Sequence, residues 1–275
     1  MIDSHCHLDL PAFQDDWQVV VNRAISAGVT RILIPGTQVS QWSTQQAIQS
    51  YSNQSTHAIS VDVAFGLHPY FLSTNETDNA TALTALQRLL SQSSVHMIAL
   101  GEIGLDGHIS IPMQLQQEVF EAQLRLASEY ALPVILHHRK SHHLIFESLK
   151  KTGFTEGGVI HAFSGSVEVA QAYIDKGFYI GVGGTITYDR AKKTKETIAY
   201  LLQHHADRLL LETDSPDMPM QGRQGARNSP EYLGDVLTAL DKLGEYNEQA
   251  LDALTTQNYF TLFRNSLFRN RVKNN

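Results

Sequence analysis

Thirteen histidines stand in this chain of 275 residues, and where they sit decides what they mean. Six short segments carry side chains able to do chemistry. They are His5-Cys6-His7, Gly66-Leu67-His68-Pro69, Gly101-Glu102-Ile103-Gly104-Leu105-Asp106, His137-His138-Arg139, His161-Ala162-Phe163-Ser164-Gly165 and Glu212-Thr213-Asp214-Ser215-Pro216. Imidazole titrates near neutrality and is the commonest protein metal ligand. Residues i and i+2 of a strand share a face, so His5 and His7 can converge on one metal while Cys6 points away. Each segment alone has an ordinary reading. A lone histidine is commonly a hydrogen-bonded core or loop residue, Glu102 alone reads as a salt-bridge partner, and Asp214 as a turn residue ahead of Pro216.

The elements between these segments give them a common address. Strand-like apolar runs start near Ile2, Arg31, Val61, His96, Pro133, Gly158, Phe178 and Arg208. Ile32-Leu33-Ile34, Val134-Ile135-Leu136 and Leu209-Leu210-Leu211 are continuously apolar, as parallel strands covered on both faces are. Phe13, Trp17, Val20, Val21, Ala24 and Ile25 follow a helical stripe that Gly28 ends. Phe120, Leu124 and Ala127 repeat it after the fourth strand, and Ile198, Leu201 and Leu202 after the seventh. A last segment from about Asn247, with Tyr259, Phe260 and Phe263, reads as an eighth helix. Eightfold strand–helix alternation at this length predicts an α/β chain folded as one (β/α)8 TIM barrel over residues 1–275. A doubly wound open sheet is the alternative, but its Gly-rich first turn is replaced here by His-Cys-His. Residues 73–77 and 218–230 read as the irregular loops.

In a barrel, all six segments fall at the C-terminal strand ends, where barrel enzymes carry their sites. Four histidines and two carboxylates buried together would strand polar groups, and a pair of divalent cations resolves that conflict. Other candidates drop away. Cys6 reads as a small apolar filler, and His138 alternates away from His137. His142, His143, His204 and His205 read as surface or capping residues at helix ends. Gly181-Val182-Gly183-Gly184 lacks the lysine of a phosphate loop and reads as close backbone approach at the barrel mouth.

Composition bounds the rest. Apolar residues make up 42% of the chain and charged residues 18%, enough to bury a sizeable core. No apolar run approaches the roughly 18 residues of a membrane span. The single cysteine allows no intrachain disulfide, and no secretory leader is visible, so a cytoplasmic protein is expected. The balance of 21 Lys+Arg against 28 Asp+Glu, net −7, argues against broad coating of duplex DNA but leaves room for a local phosphate site.

The ordered set of these segments, from Asp3-Ser4-His5-Cys6-His7 to Asn258-Tyr259, resembles the TatD family of metal-dependent deoxyribonucleases and related hydrolases. The resemblance implies two divalent ions, and mixed imidazole and carboxylate ligands suit Mg, Mn or Zn, with Ni also possible. It implies that His5, His7 and Asp214 hold the first, that His137 and His161 hold the second, and that Glu102 bridges them. It also implies that Arg139 contacts a substrate phosphate. Two positions depart from the family pattern: His138, where members often carry a small residue, and Arg227, where proline usually precedes the late-loop asparagine, here Asn228. Both bear on loop shape and substrate preference.

The activity expected is a phosphodiesterase or deoxyribonuclease, exonuclease-like, acting on DNA ends or single strands through a metal-activated water. Asp214 is the candidate general base and His68 the candidate leaving-group partner. Arg139 is the phosphate fork. Asp106 and Glu212 would hold ligand tautomers. The alternative is a small-molecule metallohydrolase opening an ester, lactone or amide, which the acidic charge favours, whereas Arg139, Arg223 and Arg227 favour the nuclease. A barrel that binds without catalysis is the remote third reading. Neither a membrane nor an obligate protein partner is expected.

Overall fold

In the computed structural model, which describes residues 1–54, 58–92 and 96–266, the apolar runs become eight parallel strands. They are β1 (Ile2–Asp3), β2 (Arg31–Ile34), β3 (Ser60–Phe65), β4 (Ala99–Asp106), β5 (Val134–Arg139), β6 (Gly158–Ile160), β7 (Phe178–Val182) and β8 (Leu209–Leu211). Each pairs with the next in sequence. β8 returns to β1 through Ser4 N–H to Leu211 O at 2.9 Å, Asp214 N–H to His5 O at 2.9 Å and a parallel bridge between Cys6 and Ser215. Sequential pairing and closure are those of a (β/α)8 barrel, not of a doubly wound sheet.

Nine α-helices cover the described barrel: α1 (Trp17–Ser26), α2 (Trp42–Ser52), α3 (Glu76–Leu90), α4 (Met113–Glu129), α5 (His142–Thr152), α6 (Val167–Ile174), α7 (Lys192–His204), α8 (Leu233–Asp241) and α9 (Glu248–Leu262). The segment from Asn247 is therefore the ninth helix and not the eighth. α8, which buries Leu233, Val236, Leu237 and Leu240, precedes it. The expected loop at 73–77 is cut short because the Asn75 side chain accepts Thr77 N–H at 3.0 Å and starts α3 at Glu76. None of the described helices is long and apolar enough to cross a membrane.

Strand alternation sorts the core into two layers. Ile32, Ile34, Val134, Leu136, Ile160, Leu209 and Leu211 pack outward against the helices. Leu33, Ile135, Val159 and Leu210 join a separate buried cluster that Tyr259 of α9 and Phe263 just past its end complete. Tyr259 donates its hydroxyl to Asp62 Oδ2 at 2.7 Å, and Arg31 pairs with the same oxygen at 2.6 Å. Read two residues onward, the inner stripes become chemistry. Ile135 leads to His137, Val159 to His161, and Leu210 to Glu212 and Asp214.

Candidate metal centre

Glu102 would be on the wrong side of its strand if β4 alternated strictly, since Leu100 packs outward. The β4–β5 register shifts between Leu100 and Ile103, an irregularity of the bulge kind that re-aims a side chain. Ile103 and Leu105 then resume the outward layer, and Glu102 turns inward.

There it stands 1% exposed, with its two oxygens divided between two groups of imidazoles. Oε2 lies 3.2 Å from His5 Nε2 and 3.3 Å from His7 Nε2. Oε1 lies 2.8 Å from His161 Nε2, 3.2 Å from His137 Nδ1 and 3.4 Å from His68 Nε2. Asp214 Oδ1 joins the first group, 3.6 Å from His5 Nε2 and 3.8 Å from His7 Nε2. The rings of His5 and His161 stack at 4.0 Å, so the two groups are contiguous. All six residues expected as ligands therefore come together, with His68 as a fifth imidazole on the shared carboxylate.

The surroundings aim these side chains. Asp214 has φ +57°, a left-handed conformation that Asp and Asn tolerate better than most residues. Asp3 accepts Thr213 N–H at 2.9 Å, the Thr213 hydroxyl at 2.6 Å and His5 N–H at 3.3 Å, tying the turn before Asp214 to the turn before His5. Asn228 donates from Nδ2 to Thr213 O at 2.8 Å and Asp217 O at 2.7 Å. Asp106 Oδ2 holds His137 Nε2 at 3.1 Å and leaves Nδ1 toward Glu102. Glu212 accepts Ala162 N–H and stands 3.8 Å from His161 Nδ1. Gly181 and Gly183 leave room for Glu212, and a Cβ on Gly184 would meet Met218 O, which is the close approach expected of that segment.

Protonation follows from burial and neighbours. Burial alone would strip the His7 proton, but the Glu102 hydrogen bond and charge, aided by Asp214 and Asp9, hold its pKa up at about 9. His161 is held at about 10 against the same burial, chiefly by Glu102. For His68 burial outweighs the attraction of Glu102, and its pKa falls to about 4. Its Nδ1 accepts Tyr70 N–H at 3.1 Å, so neutral His68 carries its proton on Nε2, facing the site.

A cation fits this donor set. His5 Nε2 and His7 Nε2 approach to 3.1 Å, close enough to share one proton, while both face the same carboxylate oxygen, a cluster of lone pairs suited to a cation. Glu102 Oε1 also lacks a well-aligned hydrogen-bond donor, although three imidazoles surround it. Imidazole nitrogen with carboxylate oxygen suits Zn, Mn, Mg or Ni. His5, His7 and Asp214 with Glu102 Oε2 could hold one ion, and His137 and His161 with Oε1 a second.

Sequence reasoning missed Asp9. It is buried with both oxygens unpartnered, and burial lifts its pKa to about 6 against the lowering charge of His7. The continued alternation Asp3, His5, His7, Asp9 was its signal.

Outside the cluster, the arginines and the remaining histidines differ in their surroundings. Arg139 is exposed at the rim and makes no ion pair with a described residue. Arg223 instead pairs with Asp235 at 2.8 Å and stacks on Tyr232, and Arg227 pairs with Asp16 at 2.6 Å over the Phe13 ring. Neither is a free cation. His142 is not simply a surface cap, because it is half-buried and contacts Tyr173 Oη at 3.1 Å and Ser164 O at 3.0 Å. His138 is buried and stacks on His142 at 4.3 Å, outside the site as its alternation requires. Cys6 is buried with its thiol pushed well up by burial, as suits a filler.

Residues 2–264 match the family described as TatD related DNase. The chain belongs to the TatD family of metal-dependent hydrolases. It is 40% identical over 263 residues to the uncharacterized metal-dependent hydrolase YjjV of Escherichia coli K12, covering 95% of this chain and 97% of YjjV. The crystal structure of YjjV superposes with a TM-score of 0.86 at 38% identity, covering 96% of this chain and 98% of that one. A Citrobacter koseri protein named 3'-5' ssDNA/RNA exonuclease TatD is 31% identical over 271 residues, covering 96% and 98%.

Metal should be a large part of this TatD protein's stability. An ion at about 100 times its Kd adds about 2.7 kcal/mol. For a chain of this size that raises the melting midpoint by about 5–10 °C. Calorimetry of chelator-stripped protein with and without Mn or Zn reads the difference. An unchanged midpoint would mean that the cluster holds no ion.

Proposed function

We propose that this protein is a two-metal phosphodiesterase that removes nucleotides from the ends of single-stranded DNA. The observation that carries the reading is the division of Glu102, one buried carboxylate presenting each oxygen to a separate group of nitrogen donors. The exonuclease name of relatives at 31% identity supports the nucleic-acid substrate. A divalent pair, when bound, acidifies water and stabilises the attacking and leaving oxygens of an in-line displacement.

The chain's own residues do the rest. Asp214 takes the proton of the attacking water through its carboxylate. His68 offers Nε2–H to an oxygen of the reacting phosphate or to the leaving oxygen. Arg139, uncommitted at the rim, brings a planar fork matched to a phosphate. Asp106 keeps the His137 ring oriented, and Glu212 holds the turn after His161.

The direct test adds Mg or Mn to metal-stripped protein with an end-labelled single-stranded oligonucleotide. Stepwise, metal-dependent shortening is expected, and an intact strand beside metal-loaded protein refutes the reading. Arg139→Ala should cost about 10- to 100-fold in kcat/KM, the worth of charge-assisted hydrogen bonds to phosphate, while metal content stays the same. The commitment of Arg223 and Arg227 to Asp235 and Asp16 favours the second reading, a small-molecule hydrolase for an ester, lactone or amide. On that reading, neutral esters turn over and Arg139→Ala leaves them unaffected.

A further inference from the structure

Two aromatic rings reach the surface beside the candidate metal centre. Tyr70 is 65% exposed and Phe71 is 39% exposed. Both lie on the short turn Pro69–Phe71 that follows His68. The turn is fixed to His68 at two points: Tyr70 N–H donates to His68 Nδ1 at 3.1 Å, and Phe71 N–H to His68 O at 3.0 Å. The backbone that carries both rings therefore keeps a set position relative to the imidazole that faces Glu102.

Their spacing forms a continuous path outward. The His137 and His68 ring centroids are 4.4 Å apart, His68 and Phe71 6.0 Å, and Phe71 and Tyr70 5.2 Å. Phe71 also walls a surface cavity of about 280 Å³ with Val39, Leu67 and Leu72. Arg139 lies two residues beyond His137, exposed at the end of β5.

We propose that Tyr70, backed by Phe71, is the stacking platform for a base next to the scissile phosphate of a single strand. The inference rests on the phosphodiesterase reading and says how a chain of net charge −7 holds a polyanion. With Arg223 and Arg227 paired to carboxylates, little cationic surface remains on that loop to grip the backbone. Stacking supplies affinity that needs no cation and tolerates any sequence, because every base has a π-face. It also demands an unpaired strand, since a base inside a duplex has no free face to give.

The test compares wild type with Tyr70→Ala, Tyr70→Phe and Tyr70→Trp on a single-stranded oligonucleotide. A matched strand carries abasic residues at its last two positions. Tyr70→Ala should raise KM about tenfold with kcat within twofold, the size expected for one lost stack. Tyr70→Phe and Tyr70→Trp should restore the wild-type KM, because the ring and not the hydroxyl does the work. The abasic strand should cost wild type the same factor and Tyr70→Ala nothing further, as for partners in one interaction. An unchanged KM in Tyr70→Ala, failed aromatic rescue, or penalties that multiply would overturn the proposal.

Fluorescence anisotropy of metal-stripped protein with the labelled strand gives a readout independent of turnover. Binding here, with the strand still intact after Mg or Mn is restored, would sink the phosphodiesterase reading while the Tyr70→Ala affinity still decides the platform. Absence of binding in wild type would sink both. A Tyr70→Ala protein that changes only its sedimentation, from dimer to monomer, would reassign the rings to an interface between copies.

Discussion

Asp214→Asn should lower kcat by about 10²- to 10⁴-fold, the range of a positioned proton acceptor. Asparagine keeps the size and one oxygen of the side chain and removes its charge and its basicity. It is also among the few residues that accept φ +57°, so the turn survives where alanine would be strained. Burial already pushes the Asp214 carboxyl up, with the charges of His161 and His7 pulling the other way and that of Glu102 adding to the rise. Removing a charge from so dry a place should leave the metal-free melting midpoint unchanged. The mutant should thus fold like wild type, keep the His137 and His161 side of the cluster intact, and fail at turnover. Oligonucleotide shortening, metal content and melting midpoint are measured on one preparation. Activity within fivefold of wild type would remove Asp214 from the proton path.

Most of this site was legible because of how a barrel is built. Parallel strands covered on both faces leave continuous apolar runs, so all eight strands lie within a few residues of where those runs begin. Each inner stripe continues past its strand into the mouth, which puts His137, His161 and Asp214 on one address by parity alone. Glu102 is the exception. Parity would send it outward, and the register shift that turns it inward leaves no mark in the residue types. α8 was missed because its nine residues follow an irregular segment and include Gly234. Arg227 could not be read at all, since its partner Asp16 lies 211 residues away. Local pattern places a cation in a loop, but only the closed fold shows that Asp16, just ahead of α1, has already claimed it.

Glu102→Gln should be the most damaging single change, because one carboxylate serves both halves of the cluster. Burial works against its charge, yet His161, His68 and His5 together hold its pKa well below the usual carboxylate range. Glutamine keeps the shape and replaces one oxygen by an N–H₂ group that faces imidazole nitrogens. No bridging anion then remains between the groups around Oε1 and Oε2. Bound metal, counted by mass spectrometry after dialysis, should fall to one ion per chain or fewer, and phosphodiesterase activity should drop more than 10³-fold. The fold should also weaken, in contrast to Asp214→Asn. Removing one partner from a buried ionic cluster costs about 3–5 kcal/mol, or a melting midpoint lower by about 10 °C in the metal-free protein. Two ions retained by Glu102→Gln, with the midpoint unmoved, would mean that the two groups of histidines act separately and that Glu102 is not the bridge.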